Sequence, residues 1–464
     1  MSRYNHINLL PPEILVHVFS FYPPESIQQS INYTQVCASW RTVAYSAPEL
    51  WTTLAVKCPV AGLHTEQDRA SYKKMLVDWI LRSRDVSMSL TVQPPLFLEA
   101  RMDASVQLQA YFYETICQDV AIDFRQKWRC LCFPPDWDFH DLVSRLRDTV
   151  VLEHLEELMF AIRGCTTSPD RHDYFPLSSR LHTLQLTLID VDGFSCVERT
   201  VPWPSHTLYL TSWGDSVIQK DVIRGCLQLG RLQDLVCLDI DGIEWENPGV
   251  LPSTTLPHLR NLTVDGTIIA MGDLMGALTL PSLETMFLSI YGNSSDHGPV
   301  VGPALAGLLR RSSHRNFGLY GLYLGWMLAE NDLEQAISFE SLGEIFSIAN
   351  TIEELYISPE GMIDAFRLMD LLCYDISNPA RQLLPSLRLF QGCGLSEAQE
   401  PQNNVSHFVS FVHSRWSPEN PETTRSNRAA RLQTVTLLQC DLASSTKDQL
   451  QTCHDAGLEF KFFS

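Results

Sequence analysis

Basic residues are scarce in this sequence. Lys and Arg together number 34 among 464 residues against 54 Asp and Glu, which gives a formal net charge of −20. Because phosphate backbones and anionic membrane surfaces bind proteins through basic side chains, this balance argues against nucleic acid or a membrane as a partner. The first 57 residues are neutral overall, so the whole negative charge belongs to residues 58–464. This asymmetry predicts two parts of different character.

Long apolar runs are also absent. No stretch of about 18 uncharged apolar residues exists, so no membrane-spanning helix is predicted. The apolar segment 14–22 contains His17, follows Pro11 and Pro12 and has only Arg3 before it, which does not fit a secretory signal. The 13 cysteines show no C-x-x-C spacing, so neither a zinc site nor a disulfide scaffold is predicted. We therefore expect a cytoplasmic or nuclear protein.

Motifs of the common catalytic classes are missing as well. The sequence contains no P-loop, no G-x-S-x-G, no H-E-x-x-H and no strand-linked G-x-G-x-x-G. Cys130 and Cys132 are interpreted as buried neutral thiols. One dense group of ligand-type side chains stands out: Asp136, Asp138, His140 and Asp141. No second carboxylate-rich segment offers the remaining ligands of a divalent ion, so this group is interpreted as a solvated turn. We expect no catalytic, cofactor or metal site, and hence a protein that is not an enzyme.

The first 57 residues have the pattern of short amphipathic helices. Proline suits the first turn of a helix and Glu13 complements its positive end, so a helix is predicted to begin at Pro11 or Pro12. Its apolar positions have helical spacing: Ile14, Leu15, Val18, Phe19 and Tyr22. A second helix is predicted over 25–31 and a third over 35–44. About 50 residues bury little area, so this segment is expected to lean on a partner or a neighbour. The alternative is an ordinary amphipathic helical hairpin.

Four short segments resemble an F-box in order and spacing. They are LPPEIL at 10–15, VF at 18–19, VCASWR at 36–41 and SAPELW at 46–51. The version is similar to F-boxes of filamentous fungi, especially mushroom-forming ones. The resemblance implies a trihelical domain at residues 5–57 that binds a Skp-family adaptor and, through it, a cullin scaffold. The adaptor-facing or motif-core positions that it implies are Leu10, Pro11, Ile14, Leu15, Val18, Val36, Cys37, Trp40, Leu50 and Trp51.

A second pattern recurs through the rest of the chain. Segments that read leucine, two residues, apolar, one residue, apolar begin most clearly at Leu181, Leu235, Leu259 and Leu283. Further copies begin at Leu155, Ser205, Leu319, Ile352, Leu387 and Leu432, at spacings between 24 and 45 residues. Because one such segment cannot enclose its apolar positions, neighbouring copies are expected to stack. We predict a solenoid over about 150–464, with Leu184, Leu238, Leu262 and Met286 in parallel strands. An irregular leucine-rich α/β domain is the alternative.

Short signals flank these segments. Leu-Pro precedes the first leucine at 256–257, 280–281 and 384–385, where it is expected at a strand entrance. Asp-Gly follows at 241–242 and 265–266, where it is expected at a turn. Repeats of this kind resemble the divergent leucine-rich repeats that follow many fungal F-boxes. Residues 58–150 are predicted to hold a helix at 72–82, a strand at 88–92, a long helix at about 99–124 and a strand at 128–133.

The predicted fold is therefore α/β. It consists of the trihelical F-box at 5–57, a linker with atypical opening repeats at 58–150, and a leucine-rich-repeat-like solenoid of parallel strands at 151–464. The function predicted from the resemblance is the substrate-recognition subunit of a Skp/cullin/F-box ubiquitin ligase. A non-ligase F-box scaffold or adaptor protein is the alternative.

An unknown protein client is expected to bind the exposed strand face. Residues that alternate with buried ones point outward from a strand, which nominates His182, Asp239, Arg260, Thr263 and Asp265. The negative charge of residues 58–464 would attract a basic client surface. The alternative is that this charge only maintains solubility.

Overall fold

The computed structural model divides the chain into two compact units, Met1–Ser216 and Val217–Ser464. The residues that it describes are 10–21, 34–57, 65–93, 120–133, 152–163, 180–189, 204, 206–212, 217–228, 232–245, 248–291, 300–313, 318–327, 337–358, 365–373, 382–393, 403–416, 432–438 and 444–463.

The first unit begins with short helices, as the apolar spacing predicts. Helix α1 spans Pro12–Phe21, helix α2 spans Ala38–Ser46, and a 3₁₀ turn covers Pro48–Trp51. The carbonyl of Pro11 accepts the first amide hydrogen bonds of α1. Cys37 caps α2, because its Sγ accepts a hydrogen bond from the amide of Trp40 at 3.5 Å. The helix predicted at 25–31 lies outside the described residues.

Parallel strands follow these helices within the same unit. In chain order they are β1 (Thr53–Lys57), β2 (Met88–Gln93), β3 (Trp128–Cys132), β4 (Glu157–Arg163), β5 (Thr183–Ile189) and β6 (Thr207–Ser212), each paired with the next. Helix α3 (Glu66–Arg82) joins β1 to β2 and begins with a capping box of Thr65 and Asp68. The helix predicted at 72–82 and the strands at 88–92 and 128–133 are confirmed. Most of the helix predicted at 99–124 lies outside the described residues.

The second unit alternates parallel strands with helices. Its paired strands are β7 (Cys237–Ile243), β8 (Asn261–Thr267), β9 (Thr285–Tyr291), β10 (Gly321–Met327), β11 (Glu354–Ser358), β12 (Leu389–Cys393), β13 (Thr434–Leu438) and β14 (Glu459–Phe463). Its helices are α4 (Lys220–Gln228), α5 (Ile268–Ala277), α6 (Val301–Ser312), α7 (Phe339–Ile348), α8 (Ala365–Leu372), α9 (Asn403–Trp416) and α10 (Ser444–Asp455). This is the predicted α/β solenoid with parallel strands.

The apolar positions of the recurring pattern stack in register. In the second unit Leu262 pairs with Leu238 on one side and Met286 on the other, and all three are buried. In the first unit Leu184 lies between Leu158 and Leu208 in the same way. Each copy thus completes its core with its neighbours, which is how strand repeats become stable together.

The Leu-Pro pairs lie in tight turns before the strands, as predicted. The amides of Leu259, Leu283 and Leu387 donate to the carbonyl of the leucine three residues earlier, at 3.4, 3.3 and 3.1 Å. Proline suits the second position of such a turn because its fixed φ matches that of the turn. The same turn therefore precedes each of these strands at the same position of the repeat.

The Asp-Gly pairs do not lie in the turns that the sequence had predicted for them. Both lie inside strands, in β7 and β8. Gly242 has φ of 84°, where the β7–β8 register shifts, and so needs glycine's freedom. A Cβ on Gly266 would lie 2.8 Å from the carbonyl oxygen of Ile243, so close packing of two strands explains that glycine.

Two arginines form hydrogen bonds between successive helices of the second unit. The guanidinium of Arg311 on α6 donates to the carbonyls of Met275 and Leu278 at the end of α5. Arg415 on α9 is buried and donates to the carbonyl of Leu372 at the end of α8. Both satisfy carbonyls that a helix end leaves without a partner.

None of the described helices is long and apolar enough to cross a membrane.

Candidate adaptor and client surfaces

Helix α1 has two apolar faces with different surroundings. Leu15 and Phe19 are 2% and 1% exposed and pack with Val43 of α2. Ile14 and Val18 lie one turn apart on another side and are 46% and 42% exposed. Residues four apart share a helix face, so these two exposed side chains form one stripe. Adjacent exposed apolar side chains of this kind make the outer face of α1 a candidate protein interface.

The ten predicted adaptor residues fall into three groups. Leu10, Pro11, Ile14, Val18 and Val36 are exposed. Cys37, Trp40 and Leu50 are half-buried, and the Trp40 ring packs edge-on against Phe19 with the ring centroids 4.9 Å apart. Leu15 and Trp51 are buried. The first group can face a partner directly, whereas Leu15 and Trp51 hold the segment together.

Trp51 joins this helical segment to the strands of the first unit. Its indole Nε1 donates to the carbonyl of Ala44 at 2.7 Å, and its own carbonyl accepts from Nε1 of Trp79 on α3 at 3.1 Å. The two rings meet edge-on with centroids 4.7 Å apart. Strand β1 begins two residues after Trp51, and the carbonyl of Thr52 accepts the amide of Ser89. The helical segment before β1 is thus joined to the rest of this unit through a buried aromatic contact with α3.

A cation lies over the same aromatic group. The Cζ atom of Arg82, at the end of α3, is 4.7 Å from the ring centroids of both Tyr45 and Trp51. A guanidinium over an aromatic face is attracted by the negative charge density of the ring. Arg82 therefore adds a second link between α3 and the residues that precede β1.

The predicted client residues are only partly neighbours. Asp239 on β7 pairs with Thr263 on β8, and Asp265 lies two residues further along β8 on the same side. Arg260 lies at the strand entrance, where its Nη1 is 3.4 Å from Oε1 of Glu284, and lines a groove of about 400 Å³. His182 belongs to the first unit, with Nε2 at 3.8 Å from Oε2 of Glu156. Asp239, Thr263 and Asp265 are thus the group that shares one face.

An aromatic row that was not predicted from the sequence continues this face. Phe287, Tyr323 and Tyr356 follow Asp239 and Thr263 in register on β9, β10 and β11. Successive ring centroids are 6.1 Å apart, and Phe287 is 39% exposed. The signal was present in the sequence, since all three stand at the single residue between the last two apolar positions of the pattern. We name Phe287, Tyr323 and Tyr356 the aromatic row.

Carboxylates border the aromatic row. Glu354 accepts hydrogen bonds from the hydroxyls of Tyr320 at 2.8 Å and Tyr323 at 2.7 Å. Partial burial, the bond to Glu354 and its charge raise the pKa of Tyr323 to about 12, so this hydroxyl stays a donor. The bonds also fix the carboxylate of Glu354 beside the rings.

Asp239 and Asp265 lie at the other end of this face and are partly desolvated. Burial raises the pKa of both, and the charge of Asp241 raises each further. The bond that Asp265 accepts from Ser289 lowers its pKa in part. Among the described residues, no basic side chain forms an ion pair with Asp239, Asp241 or Asp265. These three aspartates, named the acidic group, therefore repel one another, and no cation from the described part of the chain pairs with them.

Other candidate chemical sites can be placed where the chain is described. Desolvation raises the pKa of Cys130 to about 12 and of Cys132 to about 11, which favours the neutral thiols interpreted from the sequence. Both side chains are half-buried, however, and not buried as that interpretation had it. The group at 136–141 lies outside the described residues. Within the described ranges, no cluster of three His, Cys, Asp or Glu side chains could hold a metal ion.

Comparison with known proteins identifies the first part of the chain. A family model described as F-box-like matches residues 7–57. These residues are an F-box-like domain. No curated protein matches the chain. A solved structure of a Bacteroides fragilis protein aligns with 85% of this chain and 82% of its own at 10% identity, with a TM-score of 0.30. A likeness at that level supports no conclusion about function.

Proposed function

We propose that this chain is the substrate-recognition subunit of a Skp/cullin/F-box ubiquitin ligase. In this role the F-box-like domain binds a Skp-family adaptor, the adaptor joins the chain to a cullin, and the strand repeats hold a protein client. The chain itself performs no chemistry and needs no cofactor. It raises the local concentration of client lysines near a ubiquitin-loaded enzyme, which is catalysis by proximity.

The exposed apolar stripe on the F-box-like domain is the observation that carries this proposal. Ile14 and Val18 extend from α1 while Leu15 and Phe19 hold the helix from the other side. Leu10 and Val36 are also exposed. Contiguous exposed apolar side chains on a small domain mark a protein interface. We assign the adaptor contact to Leu10, Pro11, Ile14, Val18 and Val36, with the half-buried Cys37, Trp40 and Leu50 at its base and Leu15 and Trp51 as its support.

Affinity purification of the full chain tests this assignment. The wild-type chain should retain the adaptor and the cullin, and an Ile14→Asp/Val18→Asp variant should lose both, because two charges would be buried in an apolar contact. A Thr42→Asp variant on the exposed side of α2 is the matched control for added charge on this domain. Adaptor capture that is equal for both variants would refute the proposed interface.

A non-ligase scaffold is the second candidate function. It shares the adaptor surface, so the same purification separates the two: adaptor without cullin, and no client whose abundance responds to proteasome inhibition, would favour the scaffold. The cytoplasmic or nuclear location and the division at 57/58 and 150/151 belong to the same proposal. So does the derivation of the strand repeats from leucine-rich repeats, for which the Leu-Pro turns and stacked leucines are the support.

A further inference from the structure

The aromatic row is an unusual feature for a face that is otherwise polar. Single exposed aromatic residues are common, but Phe287, Tyr323 and Tyr356 are successive register partners on three strands. The neighbouring positions of the same row are Asp239 and Thr263 on one side and Gln391 on the other. Three neighbouring rings in such a place offer a continuous apolar surface to a binding partner.

The charges around the row define the chemistry of that partner. Asp239 and Asp265 lie on the two strands before Phe287, and Glu354 lies beside Tyr323. In the described part of this row the basic side chain is Lys461 on β14, which is itself 3.3 Å from Oε1 of Glu459. Carboxylates beside aromatic rings attract a cation both through charge and through the ring faces.

The same contact already exists inside this chain. Arg82 lies 4.7 Å from two ring centroids in the first unit. A guanidinium suits such a place better than an ammonium, since it is planar and weakly hydrated. The aromatic row likewise places rings beside carboxylates, which suits the same cation.

We infer that the strand face of the second unit binds an extended, arginine-rich client segment, with its guanidinium groups on the aromatic row and beside Asp239, Asp265 and Glu354. This inference rests on the proposed function, since it names the chemistry of the client. From Asp239 to Tyr356 the row crosses four strand spacings of about 4.8 Å, roughly 19 Å in total. An extended segment of about six residues covers that length.

A defined peptide can test this without knowledge of the client. The probe is a fluorescein-labelled peptide in which three arginines alternate with glycines, and binding to the full chain is measured by fluorescence polarisation. Its control replaces arginine by citrulline, which keeps the shape and removes the charge. We expect the citrulline peptide to bind at least about tenfold more weakly.

Variants of the chain locate the site. Asp239→Asn/Asp265→Asn and, separately, Phe287→Ala/Tyr356→Ala should each weaken binding of the arginine peptide about tenfold or more. Asp448→Asn removes a carboxylate from an exposed position of α10 and should leave binding unchanged. Asparagine has nearly the same shape as aspartate, so the Asp239→Asn/Asp265→Asn variant should unfold at the wild-type melting temperature or above. A variant that does so and binds the peptide weakly has lost the binding contact and not the fold.

Three results would overturn the inference: equal binding of arginine and citrulline peptides, wild-type affinity in both double variants, or no binding at about 1 mM peptide. Adaptor capture is measured on the same preparations. If capture is normal while peptide binding fails, this inference falls and the proposed function stands. If the wild-type chain fails to capture the adaptor, the proposed function falls whatever the peptide does.

Discussion

Two adjacent residues of α1, Ile14 and Leu15, differ in burial. Leu15 is 2% exposed and Ile14 is 46% exposed, although both are large aliphatic residues. We predict that Leu15→Ala lowers the stability of the F-box-like domain by about 2–5 kcal/mol, because it leaves a cavity against Phe19 and Val43. Ile14→Ala should change stability little and weaken adaptor binding instead.

Hydrogen exchange of the α1 and α2 amides in the full chain measures this difference. Faster exchange in Leu15→Ala with unchanged exchange in Ile14→Ala is the expected result. Equal protection in the two variants would mean that the two faces of α1 are not distinguished by burial as described.

The burial of these neighbouring residues does not follow from their spacing. The helical spacing does not identify Val16, which packs against the same core. The exposed Ile14 and Val18 are offset by one residue from the buried Leu15 and Phe19. Together they cover more than one face of a helix, so periodicity does not distinguish the inner stripe from the outer one. Which stripe is buried depends on where α2 packs against α1, and this tertiary contact is not encoded in the local spacing.

Asp239 should lower the stability of the second unit at neutral pH. Its pKa is raised above the ordinary value of 3.8 by burial and then by Asp241 and Asp265, so the folded state favours the protonated form more than the unfolded chain does. The penalty is complete above the raised pKa and disappears as the pH falls through it. We predict that Asp239→Asn raises the melting temperature at pH 7, and that the gain shrinks at about pH 4.

Differential scanning calorimetry at the two pH values tests this, with Asp448→Asn on an exposed helix position as the control. The gain should be a few degrees at most, because Asp239 is half-exposed and solvent screens its charge. A lower melting temperature for Asp239→Asn at pH 7 would show that the aspartate stabilises the fold.

At the scale of elements, α3 anchors the F-box-like domain to the first strands. Trp79 is 2% exposed and contacts Trp51 through both its ring and its Nε1. We predict that Trp79→Ala destabilises this connection by about 3–5 kcal/mol and speeds exchange of the β1 amides. Trp79→Phe keeps a ring and loses the hydrogen bond, so it should cost about 1 kcal/mol or somewhat more.

If β1 exchanged at wild-type rates in Trp79→Ala, the contact between Trp51 and Trp79 would not be what fixes β1. Adaptor capture by the same variant reports whether the disturbance also reaches the adaptor surface, which Trp51 supports.

Strands that contain the recurring leucine pattern were predictable from the sequence. The strands at 183–189, 237–243, 261–267 and 285–291 contain the leucine pattern and lie where it predicts them. Strand β1 was not predicted, because Thr53–Lys57 is short and becomes a strand only by pairing with β2. The Asp-Gly pairs were misplaced because glycine is needed there for a register shift and a close strand contact, which no local rule reports.

At the scale of the whole molecule, the two candidate surfaces have opposite chemistry. The F-box-like domain lies in a segment without net charge and exposes aliphatic side chains. The second unit carries the acidic group and the aromatic row on its strand face. Under the proposed function, this difference would let the chain keep its adaptor while it exchanges clients.

Salt should therefore separate the two contacts. We predict that raising the ionic strength from about 0.05 M to 0.5 M weakens capture of a cationic client severalfold and leaves adaptor capture unchanged, because exposed charges are screened beyond a few ångströms at the higher value. The negative charge of residues 58–464 adds long-range attraction that is lost in the same range. An Asp239→Lys/Asp265→Lys variant should bind the client weakly already at low salt, and its defect relative to wild type should shrink as salt rises.

Capture of adaptor and client from one lysate over a salt series measures the salt dependence of both contacts in one experiment. Client capture that is independent of salt and of these substitutions would refute the electrostatic contact, while the assignment of the apolar adaptor surface would be unaffected.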